Sequence, residues 1–332
     1  MIGRHGVRSA RAITAIAVLV AAILQSPPAF AASVSAAAFT GGAGTVVVGT
    51  TLYARSGGSL TLTLTTSADT KCVQVSGAHT AEQRSATAKS SWTFAFSAGS
   101  GDGVQTITAT ARPEFNTNAC TGQPGSRQAS YVLDNTGPVV TGALAPLPNA
   151  NGWNRANVTI TWTATDAGSG VASGPTPASD SVVADTAGVT RTSSATDRLG
   201  NTGSGAVTVK LDKTNPVITG SRSPAANANG WNNAPVTVSF SCSDALSGIA
   251  SCPGSTVLSS NGAAQSVSGT ATDTAGNSAS ATVSGINIDR TAPQLSGSPT
   301  TSPNANGWYK GNVTIDWSCT DALSGIDGSC PA

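Results

Sequence analysis

Asn149-Ala-Asn-Gly-Trp153, followed by Val158-Thr-Ile-Thr-Trp-Thr-Ala-Thr165, decides the fold. The first segment is turn chemistry, because Asn and Gly adopt the left-handed conformations that tight turns need. The second alternates: Val158, Ile160, Trp162 and Ala164 share one face, and four threonines share the other. That period of two describes a strand with one buried face and one wet face. Working outward, the pair recurs as Asn227–Trp231 with Val236–Ser243, and again as Asn304–Trp308 with Val-Thr at 313–314. Asp-x-Thr-x-Pro precedes each copy, at 134–138, 212–216 and 289–293. An Asp at 166, 244 and 321 and a Ser-Gly at 169–170, 247–248 and 324–325 follow at identical offsets. The copies start 78 and 77 residues apart. A fixed period of this kind marks a tandem array of one structural unit.

Within a copy, Ala195-Thr-Asp-x-x-Gly-Asn201 and Ala271-Thr-Asp-x-x-Gly-Asn277 end a strand in a tight turn. A last strand, Ala206–Leu211 or Ala281–Ile288, delivers the chain to the next Asp-x-Thr-x-Pro. Short strands separated by regular turn signals over about 80 residues predict a small β-sandwich. Upstream, Leu60–Leu64, Trp92–Phe96 and Val104–Ala109 also alternate, without the repeat's motifs. The expected organisation is all-β: a divergent β-sandwich at 32–133, full repeats at 134–211 and 212–288, and a partial repeat at 289–332. Pro138, Pro216 and Pro293 hold the residue before them extended, so the sandwiches are expected to follow one another in a rod-like array. Residues 289–332 hold the Trp motif and core strand without the two closing strands, which reads as a fragment of a longer chain.

Residues 1–31 read as a secretory signal peptide. Arg4, Arg8 and Arg11 precede the apolar run Ala12–Leu24, and Ala29-Phe-Ala31 forms the cleavage site. The chain is therefore expected to be secreted or at the cell surface, with no membrane contact beyond the export signal. Past residue 31, 14 Lys and Arg face 16 Asp and Glu, so no basic surface exists to neutralise phosphates and nucleic acid is not an expected partner. One histidine remains, His79, in a segment read as a solvated loop; histidine-based triads and zinc sites need more. No catalytic residue is expected.

Six cysteines in an exported chain imply three disulfides. Cys242 and Cys252 flank Asp244 as Cys319 and Cys330 flank Asp321, while the matching positions of the first repeat are Ala164 and Gly174. Joint presence and joint absence identify bonded pairs, which leaves Cys72 with Cys120.

Trp153, Trp231 and Trp308 have two readings: aromatic platforms for sugar rings, repeated for avidity, or lids over the end of each sandwich. Their fixed place beside the linker favours packing. Trp162, Phe240 and Trp317 sit at strand positions and are expected in the core. Asp134, Asp166, Asp197, Asp212, Asp244, Asp273 and Asp289 also divide two ways. They are candidate oxygen ligands for calcium near the linkers, or Asx-turn acceptors for their own backbone. With no dense acidic loop, the turn reading is preferred, and no other cofactor is expected.

These motifs, Asn-x-Asn-Gly-Trp through Ala-Thr-Asp-x-x-Gly-Asn to [Leu/Ile]-Asp-x-Thr-x-Pro, resemble the bacterial Ig-like repeats of actinobacterial surface and secreted proteins. The second half of each copy is also similar to the HYR module. The resemblance covers 134–332 and implies non-catalytic spacers or adhesive stalks whose partner is an unidentified extracellular protein or glycan. The alternative is an accessory or glycan-binding region of a larger secreted hydrolase.

Overall fold

A computed structural model describes residues 31–331 of the 332-residue chain. The expected signal peptide, apart from Ala31, lies outside the described residues. Among them every regular element is a strand, and no helix is long and apolar enough to cross a membrane. The chain divides into two compact units, 1–135 and 136–332.

The first unit lays a three-stranded sheet against a six-stranded one. Val34–Gly41, Ser59–Thr66 and Ser91–Ser97 form the smaller sheet. Thr45–Val48, Thr51–Ala54, Gly125–Leu133, Gly103–Arg112, Cys72–Gly77 and Ala81–Arg84 form the larger, in that spatial order. Alternation decides the facing: Leu60, Leu62 and Leu64 are fully buried, while Thr63 and Thr65 point to solvent and Thr61 is half-buried. Leu62 and Leu64 meet Val73, Val75, Ile107 and Ala109 of the other sheet and Trp92 and Phe94 of their own, while Leu60 packs with Leu52, Ala54, Tyr131 and Leu133. Cys72, at the start of its strand, is bonded to Cys120 of the short Glu114–Phe115/Cys120–Thr121 hairpin, with Cα atoms 5.8 Å apart.

His79 corrects the sequence reading. It does lie in a loop, but half-buried and not solvated: its ring stacks on Phe96 at 4.5 Å, and its Nε2 lies 2.8 Å from the Tyr131 hydroxyl. The bend between Cys72–Gly77 and Ala81–Arg84 carries His79 against Phe96 and Tyr131, which stand on strands of the two different sheets. Burial holds the imidazole below its ordinary value of 6.5, because the charged form loses hydration. Above that value His79 is neutral in both folded and unfolded chains. As pH falls below it, the unfolded chain takes up the proton first, so stability of this unit falls until the folded pKa is passed. Urea midpoints at several pH values should show this slope between neutral and mildly acid pH, and His79→Gln should flatten it. Equal slopes with and without the imidazole would contradict the assignment.

The second unit contains the repeats. In the first, the sheet Val139–Ala145/Val158–Thr165/Ser179–Val182 faces the sheet Val171–Thr176/Thr186–Asp197/Thr202–Leu211. In the second, Val217–Ser223/Val236–Ser243/Thr256–Leu258 faces Trp231–Asn232/Ser278–Ile288/Gly262–Asp273/Ile249–Ser251. The third is a single two-stranded sheet, Gln294–Pro299 with Ile315–Thr320. The opening pair keeps one register throughout: Val139 opposite Thr165, Val217 opposite Ser243, Gln294 opposite Thr320. Each repeat's core is thin, with Val158, Ile160, Trp162, Val209 and Leu211 in the first and Val236, Val238, Ile286 and Ile288 in the second.

In this register a glycine faces the core aromatic in every copy: Gly142 opposite Trp162, Gly220 opposite Phe240, Gly297 opposite Trp317. A Cβ at Gly142 would lie 2.8 Å from the Trp162 ring, and one at Gly297 would lie 2.7 Å from the Trp317 ring. The missing side chain makes room for the ring to lie across the neighbouring strand. Trp162 and Phe240 pack as expected, but Trp317 is 38 % exposed. The reason is physical: among the described residues no second sheet lies over the third copy's inner face. The structure also pairs Cys242 with Cys252 and Cys319 with Cys330, with Cα separations of 5.9 and 5.6 Å.

Candidate functional site: the joint loops and their carboxylates

The repeated polar residues gather at the ends of the sandwiches, in three kinds of loop. The Asn-Ala-Asn-Gly-Trp loop closes on itself. Oδ1 of Asn149 accepts the Asn151 and Trp153 N–H groups at 2.9 and 3.0 Å, and the Gly152 N–H reaches the Asn149 carbonyl. Asn227 and Asn304 repeat these bonds with their own loops. The glycine sits at a positive φ of 79–83° in all three, a conformation that favours Gly over any residue with a Cβ.

The acids act in the same local way. Asp166 accepts from the Gly168 and Gly170 N–H groups, Asp244 from Leu246 and Gly248, and Asp321 from Leu323 and Gly325. Asp197 accepts from Leu199 and Asn201, and Asp273 from Gly276 and Asn277. In the linkers, Asp212 accepts from Thr214 at 3.0 Å and Asp289 from Thr291 at 2.9 Å, which accounts for Asp-x-Thr. Asp134 ends the first unit, where its N–H donates to the Ala54 carbonyl.

Tertiary structure then brings separate loops together. The second carboxylate oxygen of Asp212 accepts the Ser247 N–H at 3.1 Å, and that of Asp289 accepts the Ser324 N–H at 3.0 Å. The Thr291 N–H first, with Ser324, holds the Asp289 carboxyl below the usual carboxylate range. Asn277 donates both to Asp273 at 2.8 Å and to the Asp212 carbonyl at 2.9 Å, tying the closing turn to the linker.

As a result Asp212, Asp244 and Asp273 each present a carboxylate oxygen within 4.8 Å of the others, with Asp212 0 % and Asp273 2 % exposed. Asp166 and Asp197 approach one another to the same distance. An oxygen-only donor set is the kind calcium takes, and these three side chains are the ones that would hold it. Five of their six carboxylate oxygens already accept N–H donors, leaving Asp244 Oδ2 without one. The turn role is thus in place without any ion.

The three loop tryptophans do not share one environment. Trp153 is 8 % exposed, with the Lys210 ammonium 5.6 Å from its ring centre, so it offers no open face to a sugar. Trp231 is half-buried, and Trp308 is 74 % exposed. The expectation of a threefold glycan platform fails at Trp153, and that of a threefold lid fails at Trp308.

Sequence reading did not find the partners of the Asn149 loop. Asn149 Nδ2 donates to the Thr274 and Ala275 carbonyls at 2.9 and 3.1 Å, and Arg155 donates to the Gly276 carbonyl at 3.1 Å. Recurrence of both motifs was the available signal, but nothing in it pairs loops more than 120 residues apart.

No protein-family model matches this chain, and no curated protein matches it. Several solved structures are similar in part. One, from work on host cell surface retention of a 1.5-MDa bacterial ice-binding adhesin, is 14 % identical, covers 78 % of this chain and 98 % of its own, and has a TM-score of 0.36. A tetra-tandem repeat from the extending region of a large adhesion protein is 16 % identical over 88 % of this chain and 90 % of its own, with a TM-score of 0.28. Protocadherin gammaB7 EC3-6 is 13 % identical over 84 % and 83 %, with a TM-score of 0.24.

Proposed function

We propose that this chain is a non-enzymatic extracellular array of Ig-like units that serves as a spacer or adhesion stalk, of the bacterial Ig-like, HYR-like kind its motifs resemble. One observation carries the reading: the residues repeated at fixed offsets are spent on closing loops and joining units. Asn149, Asp212, Asp273 and Asn277 all bond backbone groups of the loops at one joint. A unit whose repeated polar groups are used in this way is built to be placed in series. The three disulfides fit an oxidising compartment, where such small cores gain most from them.

The reading is tested by export. Expressed from its own N-terminus in a secreting bacterial host, the protein should be recovered outside the cytoplasm, beginning near Ala32 and without thiols that react with a maleimide. A cytoplasmic product with six reactive thiols would overturn it.

Calcium enters as a stiffener of the joint at Asp212. Three carboxylates packed this closely repel one another, and a divalent cation would offset that repulsion. Chelation with EDTA is then expected to lower the melting midpoint, and Asp244→Asn to remove the difference. An unchanged midpoint removes calcium from the reading and leaves the turn role alone.

A further inference from the structure

The joint between the first and second repeats is a clasp with two sides. On one side the Asn149 loop donates to the 273–277 turn: Asn149 Nδ2 to Thr274 and Ala275, Asn151 Nδ2 to Thr274 at 3.4 Å, Arg155 to Gly276. On the other, Asn277 of that turn donates to the carbonyl of the linker residue Asp212. Because Oδ1 of Asn149 is used inside its own loop, only the amide end faces outward.

The next joint has both sides of this clasp. Asn227 makes the same internal bonds as Asn149, and Asp289 captures Ser324 as Asp212 captures Ser247. Between them lies a cleft of 590 Å³, lined by Asn227, Asn229, Asn233, Asp289 and Ser324. Asn232 also lines it; this side chain is buried, and its Oδ1 has no hydrogen-bond partner. Residues 289–332 contain no Ala-Thr-Asp-x-x-Gly-Asn segment. Trp231, beside the cleft, is less buried than Trp153 at the filled joint.

We propose that this cleft is the docking seat for an Asp-x-x-Gly-Asn turn of an Ig-like unit in the third position. Asn227 Nδ2 donates to the turn's carbonyls, and the Asp289 carbonyl accepts the amide of the turn's asparagine. The seat repeats, one unit further along, the residues of an interface already formed once in this chain, and Asn227 and Asp289 stand in it where Asn149 and Asp212 stand in the first. It holds whether or not the array adheres to anything.

The test supplies the turn. Cys330-Pro331-Ala332 corresponds to Cys252-Pro253-Gly254, so the segment Ser255–Ile288 is appended after Ala332 of the full chain. Hydrogen exchange read by mass spectrometry should then slow about tenfold in 227–231, the effect of roughly one to two net hydrogen bonds. Asn227→Asp, which keeps the Oδ1 acceptor of the Asn229 and Trp231 N–H groups and loses only the Nδ2 donor, should return that exchange to its starting rate while the appended strands stay protected. Protection of the appended strands with 227–231 unchanged would overturn the proposal. Slowing that rises with protein concentration would also overturn it, by assigning the seat to a second copy. If the appended half gains no protection, the filled joint decides. There Asn149→Ala in the unextended chain should speed exchange at 274–276 about tenfold, and no change would sink the clasp.

Discussion

Replacing Cys72 and Cys120 together by alanine is expected to cost the first unit about 4 kcal/mol, the largest single effect foreseen here. The bond closes a loop whose ends are 48 residues apart in sequence, and loop-closure entropy grows with that length. It also fastens the Glu114–Phe115/Cys120–Thr121 hairpin, whose two-residue strands cannot hold by pairing alone. The measurement is urea unfolding followed through Trp92, the one tryptophan of that unit. A loss below about 1 kcal/mol would mean that the reduced chain keeps the same restriction by other contacts. The bonds of the repeats close loops with ends 10 and 11 residues apart, so their removal should cost about 3 kcal/mol each by the same estimate.

Asp273→Ala is expected to cost the second repeat about 3 kcal/mol. The carboxylate is buried and accepts three donors: the Gly276 and Asn277 N–H groups and the Asn277 side-chain amide. Alanine removes the acceptor these donors share, leaving Gly276 only the residue-273 carbonyl and the Asn277 amide only the Asp212 carbonyl, and hydrogen bonds to a charged group are the stronger kind. The turn would loosen, and with it the carbonyls of Thr274 and Ala275 that receive Asn149. Loss of stability should therefore appear together with faster hydrogen exchange in the 149–153 loop. Asp273→Asn, which keeps one acceptor, should cost less. If alanine and asparagine behave alike, the acceptor role is wrong. If stability falls with the 149–153 loop unaffected, the turn does not carry the joint.

The histidine and the aromatic rings show where sequence reading stops. Alternation in Leu60–Leu64 and Val158–Thr165 identifies the strands and their inner faces, because a strand's pleat is a property of consecutive residues. It does not place His79 on Phe96, since that contact depends on which strands become neighbours. The same limit applies to Gly142, which reads as a weak point in a strand until the register sets it opposite Trp162.

By itself, the sequence determined everything that closes within about five residues. The Asn149 loop, the Asx turns of Asp166, Asp244 and Asp321, and the positive-φ glycines are local, so every copy carries them unchanged. Only the tertiary structure decided what those loops meet. Trp153 and Trp308 sit in the same five-residue motif with the same internal bonds, yet one is buried and the other exposed. Asp212, Asp244 and Asp273 converge because three separate loops reach one end of a sandwich. Burial and convergence depend on surfaces assembled from distant parts of the chain, and a repeated motif cannot encode a neighbour that differs from copy to copy.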